Sequence, residues 1–301
     1  MKLAVLSPVV TFHPATHGEW ERDATIDDLA AVAVTADRLG YDHLTCSEHV
    51  GIPAAEVGRR GARYWDPLPT FGYVAARTTR IRLATHVLVL GYHHPLAIAK
   101  RYGTLDVVSG GRLVLGVGVG SLREEFDLLG APFDDRGPRA DEALRALRAA
   151  MSEPEPSFRG EHLRFEGLVI DPTAVQDRVP IWVGGRTLRS LRRAVALADG
   201  WNPFAVTGEQ VRTWLDRVEP PADFDVVLPT VATLDPLGDP DPTREALAAT
   251  AGCGATIAYP RFAHHSLAHY LECLEALAEL HDPTGSVPGP RPSPGTVPGQ
   301  G

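Results

Sequence analysis

A chain of 301 residues can bury a full core, and 44% hydrophobic with 22% charged residues describes an ordinary globular protein. The formal charge of −9 argues against a nucleic-acid partner, which asks for a basic patch, and no apolar run reaches membrane-spanning length. The N-terminus goes straight into a strand with no signal-peptide pattern, so a cytoplasmic location is expected.

Lys2 to Val10 (KLAVLSPVV) reads as a buried strand, and the polar stretch Thr11 to Asp23, with His13, His17 and Trp20, as the loop at its end. Thr25 to Asp28 is a capping start for the periodic helix LAAVAVTADRLG, which Gly40 stops. DHLTCS is a second strand ending in Ser47-Glu48-His49, and the long loop from Gly51 to Asp66 carries Arg59, Arg60, Arg63, Tyr64 and Trp65. After the helix PLPTFGYVAARTT comes IRLATHVLVL, a β-branched run of strand length. His94-Pro95 opens a helix, since proline suits a first turn, and Gly110-Gly111 closes it. RLVLGV is then a buried strand running into Gly116-Val117-Gly118-Val119-Gly120.

Beyond Ser121 lie EEFDLLG and a charged amphipathic helix over roughly residues 138–151. FRGEHLRFEG alternates like a small hairpin and interrupts the repeating pattern as an insertion. PIWVGG, a short strand ending at Trp201 to Phe204, VVLPTVATL and ATIAYP complete the strands, each followed by a helix. About eight strands alternating with helices is the arrangement of a (β/α)8 TIM barrel over residues 1–281, with the insertion between strands 4 and 5. The last twenty residues, 282–301, have proline at nearly every second or third position and too few apolar groups to dock, so a disordered tail is expected there.

In such a barrel the chemistry gathers at the carboxyl ends of strands. Those ends hold His13, Glu48 and His49, His93 and His94, Gly118 to Ser121, Gly184 to Arg186, and Trp201 with Asn202. His49 is the leading catalytic candidate, because an imidazole exchanges protons near neutral pH, and Glu48 is its candidate partner. A hydrogen-bonded loop histidine is the competing reading, and the residue type alone leaves both open. Gly118-Val119-Gly120 and Gly184-Gly185-Arg186 both follow apolar strands and precede helices, where bare amides can meet a phosphate. A tight turn with no ligand explains either one alone; two of them together favour a phosphorylated cofactor.

No metal is expected. His93-His94 and His264-His265-His269 lack a carboxylate at metal-ligand spacing, and adjacent histidines on extended chain point apart. Cys46, Cys253 and Cys273 are too widely spaced for a disulfide framework or zinc knuckle, so free thiols are expected.

As a linked series, Ser47-Glu48-His49, ATHVLVLGYHHP, GGRLVLGVGVG, Glu125-Phe126 with Gly130, Arg136, Arg139 and Glu142, FRGEHLRFEG and PIWVGG resemble the bacterial luciferase-like monooxygenase family, in particular its branch using the deazaflavin coenzyme F420. The similarity runs from Lys2 to about Leu280. It implies a barrel with an insertion, usually a homodimer, that binds F420 or FMN at the carboxyl ends of the strands and acts on a small-molecule substrate. It further implies a non-prolyl cis peptide at His86-Val87 supporting the deazaflavin ring, a cofactor phosphate on Gly118, Val119, Gly120, Gly184 and Gly185 with Arg186 beside it, and His49 next to the ring. Two departures stand out: sugar-phosphate dehydrogenases of the family carry a carboxylate where this chain has Ser121, and a tryptophan that Val50 to Ala54 lack. The implied activity is hydride transfer with F420; the alternative is FMN-dependent oxygenation. A ligand-binding barrel without turnover is the non-enzymatic reading.

Overall fold

Runs that are apolar on both faces can only be satisfied between two covering layers, and here they form a ring of parallel strands sheathed by helices. The structure, a computed structural model, describes residues 1–13 and 17–281, so the tail expected to be disordered lies outside the described residues. The strands are β1 (Lys2–Leu3), β2 (His43–Cys46), β3 (Arg82–Thr85), β4 (Leu113–Gly118), β5 (Ile181–Gly185), β6 (Gly200–Pro203), β7 (Asp225–Leu234) and β8 (Ile257–Phe262). They pair in parallel in the order β1-β8-β7-β6-β5-β4-β3-β2. A parallel bridge from Val5 to Leu44, with the Val5 amide on the His43 carbonyl at 2.7 Å, joins the two ends. The expected barrel is therefore present.

Each strand is followed by a helix: α1 (Ile26–Leu39), α2 (Pro67–Ala75), α3 (Pro95–Ser109), α4 (Arg136–Ala150), α5 (Leu188–Leu197), α6 (Gly208–Val218), α7 (Pro240–Gly252) and α8 (Leu267–His281). The sequence signals work as expected. Asp28 accepts the Thr25 amide at 2.6 Å to start α1, and Gly40 ends it in the left-handed region at φ 81°. His94 caps α3 by accepting the Leu96 amide at 3.2 Å, with Pro95 in the first turn.

The large apolar layer lies between strands and helices, and includes Leu44, Leu83, Leu115, Ile181, Leu144 and Leu191. A smaller cluster of Ala4, Ala84, Val114, Trp182, Val227, Ile257 and Tyr259 fills the ring itself. The amino-terminal end of the ring is closed by polar groups around Trp182. Arg82 stacks over its ring at 5.4 Å, His43 meets its face at 4.9 Å, and its indole N–H donates to Asp225 at 3.2 Å. Asp42 joins both His43 (2.9 Å) and Arg82.

Two segments differ from the sequence expectation, and a third breaks where the family resemblance implies. Lys2 to Val10 is not one strand: the ladder stops early, Pro8 has no N–H to give, and Val9 turns to φ 74°. IRLATHVLVL is broken at a cis His86–Val87 peptide, the non-prolyl cis bond that the resemblance implies there, after which Leu88–Val89 pairs with β4 and Leu90–Tyr92 forms a single 3₁₀ turn. The long loop between β2 and α2 is not featureless, since its Arg63–Tyr64 pairs antiparallel with Thr11–Phe12. The expected hairpin insertion is there, Phe158–Arg159 against Arg164–Phe165, between β4 and β5. Glu142 of α4 holds it by accepting the amides of Glu161, His162 and Leu163 at 3.0, 2.8 and 2.6 Å.

Candidate active site

The carboxyl end of β2 delivers three consecutive polar side chains, and each is engaged differently. Ser47 donates its hydroxyl to the His86 carbonyl at 2.7 Å, tying β2 to the cis peptide that follows β3. Glu48 accepts the Val89 amide at 2.7 Å on one oxygen and meets His93 Nε2 at 2.6 Å on the other. Glu48 therefore faces the chain beyond the bulge of β3, not its neighbour His49.

His49 turns the other way. Its Nδ1 lies 2.8 Å from Oε2 of Glu125, on the short helix Arg123–Leu128 that follows the glycine turn after β4. The Tyr64 ring packs edge-on against the imidazole at 4.4 Å, and Tyr64 is held there because its backbone pairs with Thr11 across the two mouth loops. Glu125 is almost fully buried, with 2% of its side chain exposed, yet its carboxylate is saturated. It accepts the amides of Val50 and Gly51 at 2.6 and 3.2 Å, the Tyr92 hydroxyl at 2.6 Å, and His49. Burial pushes its pKa up, but the hydrogen bonds from His49 and Tyr92, the His49 charge and the Val50 amide outweigh that and hold it at about 2. Burial, then the hydrogen bond and charge of Glu125, raise the Tyr92 phenol, so it stays protonated and donating. An ionised carboxylate can only accept, so Nδ1 of His49 carries a proton and Nε2 is the nitrogen left for exchange.

The glycines after β4 and β5 converge on the same bulge. A Cβ on Gly118 would lie 2.8 Å from Val87 Cγ2, and one on Gly184 2.8 Å from Val87 Cγ1. The Val87 side chain thus occupies the notch between two strands that only glycine can leave open. Gly120, at φ 79°, lies so close to Phe126 that a Cβ would meet its ring at 2.4 Å. Close packing accounts for these glycines without a ligand, while their amides stay at the strand ends where the sequence places them. Gly185, opposite Pro203 of β6, packs on Ser190 at the start of α5. Arg186 is apart from this group: it is exposed and stacks loosely on Phe204 at 6.0 Å.

Inside the ring, one level below the mouth, the His86 imidazole sits edge-on to Tyr259 at 5.4 Å. Burial first, then the His43 charge, lower its pKa to about 4, so it is neutral. His86 Nδ1 and Asn202 Oδ1 are buried with no hydrogen-bond partner among the described residues. Two orphaned polar atoms at this end of a barrel suit the polar edge of a planar, hydrogen-bonding ring such as a deazaflavin or flavin.

His93 and His94 diverge as expected, one to Glu48 and the other to the α3 cap. Trp201 is buried and donates to Ser190 at 3.1 Å, and Trp20 donates to His264 at 2.8 Å, so both serve packing. No group of three or more His, Cys, Asp or Glu among the described residues could hold a metal ion, and the three cysteines are buried free thiols. No helix among them is long and apolar enough to cross a membrane. Glu125 entered the sequence series only as part of a motif, and Tyr92 not as a site residue. Glu125 is 76 positions from His49, and nothing in local periodicity marks such a contact.

Comparison with known proteins agrees with this architecture. The profile described as luciferase-like monooxygenase matches residues 1–285. An F420-dependent glucose-6-phosphate dehydrogenase of Nakamurella multipartita is 31% identical over 200 residues, which is 64% of this chain and 56% of that protein. The chain spans about two thirds or less of the length of the curated relatives it matches. The crystal structure of monooxygenase RslO1 from Streptomyces bottropensis superimposes with a TM-score of 0.70 at 22% identity, covering 94% of this chain and 99% of that one. The oxygenating constituent of 3,6-diketocamphane monooxygenase, from a Pseudomonas putida plasmid and in complex with FMN, superimposes with a TM-score of 0.68 at 15% identity, covering 96% and 99%.

Proposed function

The chain belongs to the luciferase-like monooxygenase family, and we propose that within it the protein is an F420-dependent oxidoreductase moving a hydride between the deazaflavin and a small organic substrate. The observation that carries this reading is the His49–Glu125 pair at the carboxyl end of the barrel. Hydride transfer to or from a carbon next to a heteroatom leaves one proton to be placed or removed, and the pair is built for that task. Glu125, its pKa held at about 2, is ionised at neutral pH and holds the Nδ1 proton of His49, which fixes the tautomer and directs Nε2 to the substrate heteroatom. Tyr64 limits rotation of the ring. Glu48 acts one step back, as a brace: through Val89 and His93 it sets the chain beyond the bulge on which the cofactor ring would rest.

When bound, F420 supplies a carbon that carries hydride and reacts poorly with oxygen. His86 and Asn202 would meet its polar edge from below, Val87 its face, and the amides of Gly118, Val119, Gly120, Gly184 and Gly185 its phosphate, with Arg186 at the rim. The named F420-dependent relative supports this choice of cofactor, as does Val119, which offers an amide and no basic side chain. The second reading, an FMN-dependent monooxygenase, is supported by the FMN complex that shares the fold.

Anaerobic titration with F420 and with FMN, followed by fluorescence quenching, separates the two. Tight F420 binding with FMN at least about tenfold weaker is the expected result, a difference of about 1.4 kcal/mol; the reverse order overturns the F420 assignment. His49→Ala should then keep F420 affinity within a few-fold while lowering kcat about 10²–10⁴-fold. Full turnover by that variant would remove His49 from the mechanism.

A further inference from the structure

A cavity of about 120 Å³ lies outside the barrel mouth, between the 3₁₀ turn after β3, the start of α4 and the hairpin insertion. It opens to solvent, with part-exposed side chains of all three elements on its walls, so a small molecule can reach it from outside. Its polar lining is one-sided. Arg136, Arg139, His93 and His162 face it, and no aspartate or glutamate is among the residues that line it. Leu90 and Leu163 form part of the apolar wall opposite.

The two guanidiniums are only partly committed. Arg136 gives Nε to the Gly120 carbonyl at 3.1 Å and Nη1 to that of Phe133 at 3.0 Å, while Arg139 gives Nε to Asp135 at 2.7 Å. The other Nη of Arg136 and both of Arg139 have no partner among the described residues. A guanidinium fork with spare donors matches a carboxylate, which can take two parallel N–H bonds. Glu142 holds the main chain at His162 by accepting its backbone amide at 2.8 Å. His93 looks both ways: it lines the cavity and bonds Glu48 at 2.6 Å.

We infer that this cavity is a binding site for a small organic carboxylate. Its carboxylate would sit on Arg136 and Arg139, and its short aliphatic stem on Leu90 and Leu163. A fully hydrated anion such as phosphate would turn oxygens toward the apolar wall, which costs free energy without compensating bonds. Because His93 joins the cavity to Glu48, the occupant communicates with the brace behind the barrel mouth. The site stands independently of which cofactor the barrel binds.

The test uses the full chain without added cofactor, titrated with butyrate, 1-butanol and inorganic phosphate and followed by calorimetry and by NMR of the histidine rings. Butyrate should bind saturably and move the His93 and His162 resonances, whereas the neutral alcohol should bind at least about tenfold more weakly. Arg139→Gln should weaken butyrate about tenfold or more at unchanged melting temperature, as expected for loss of a charge-assisted fork. His162→Gln should weaken it several-fold, and it decides the matter if Arg139→Gln does not fold. Absence of saturable butyrate binding overturns the inference, and so does butyrate binding that neither variant affects. Phosphate binding without butyrate binding overturns the carboxylate assignment. None of these outcomes bears on the F420 and FMN titration, so the two readings fail separately.

Discussion

A histidine becomes a defined proton carrier only when something fixes which nitrogen is protonated, and here one carboxylate does so. Glu125 is nearly inaccessible to solvent but receives four donors, which is why burial does not neutralise it. Its pKa of about 2 lies below the ordinary carboxylate value of 4.5, so it also stabilises the fold. A depressed carboxylate contributes fully above its ordinary value, and that contribution is lost as the pH falls toward 2. Glu125→Gln should therefore cost on the order of 2 kcal/mol at pH 7, because the amide keeps one acceptor but cannot carry the charge that His49 and Tyr92 require. The gap in melting temperature between wild type and variant should narrow as the pH is lowered from about 5 to 3, where wild-type Glu125 loses its advantage. A gap that stayed constant over that range would mean that the carboxylate is held by geometry and not by charge.

Much of the element order is legible in the sequence because parallel strands covered on both faces have an unambiguous pattern, and the helix ends carry caps at Thr25, Gly40, His94 and Gly110. The strand-end positions of His49 and of both glycine turns follow from that order. What periodicity does not reveal is the break in β3. His86 to Val89 continues the pattern of the residues before it, so only the family resemblance places a cis peptide at His86-Val87, and its steric reason shows when Val87 is seen between Gly118 and Gly184. The sequence suggests a phosphate reason for those glycines; the packing supplies a steric one. Gly184→Ala would force a Cβ to within 2.8 Å of Val87 Cγ1, and overpacking of that kind costs about 1–3 kcal/mol. Adding Val87→Ala should return most of that loss, giving a coupling of about 1 kcal/mol or more in a double-mutant cycle read by denaturant unfolding. Additive effects would mean that the notch is not shared and that the glycines serve something other than Val87.

Across the whole molecule, the interior of the barrel is more polar than its walls, and this sets how the fold responds to acid. His43 and His86 lie inside the ring, and both are lowered, by burial above all, His86 to about 4. Asp42 at the closed end is lowered as well: burial opposes this, but the His43 hydrogen bond and the charges of Arg82, His43 and Lys2 prevail. All three groups bind protons more readily in the unfolded chain than in the native one, so stability must fall as pH falls. The histidines act first, between their ordinary value of 6.5 and about 4, and the carboxylates follow below about 4. Each such histidine contributes a slope of up to about 1.4 kcal/mol per pH unit in its window. Replacing His86 with glutamine, which cannot titrate, should remove one proton's worth of that slope between pH 6 and 4.5 and leave the steeper loss below pH 4 in place. Chemical unfolding measured at half-unit pH steps checks this. An unchanged slope in His86→Gln would show that the ring already admits a proton in the native state, and that the interior next to Asn202 and Tyr259 is better solvated than its packing indicates.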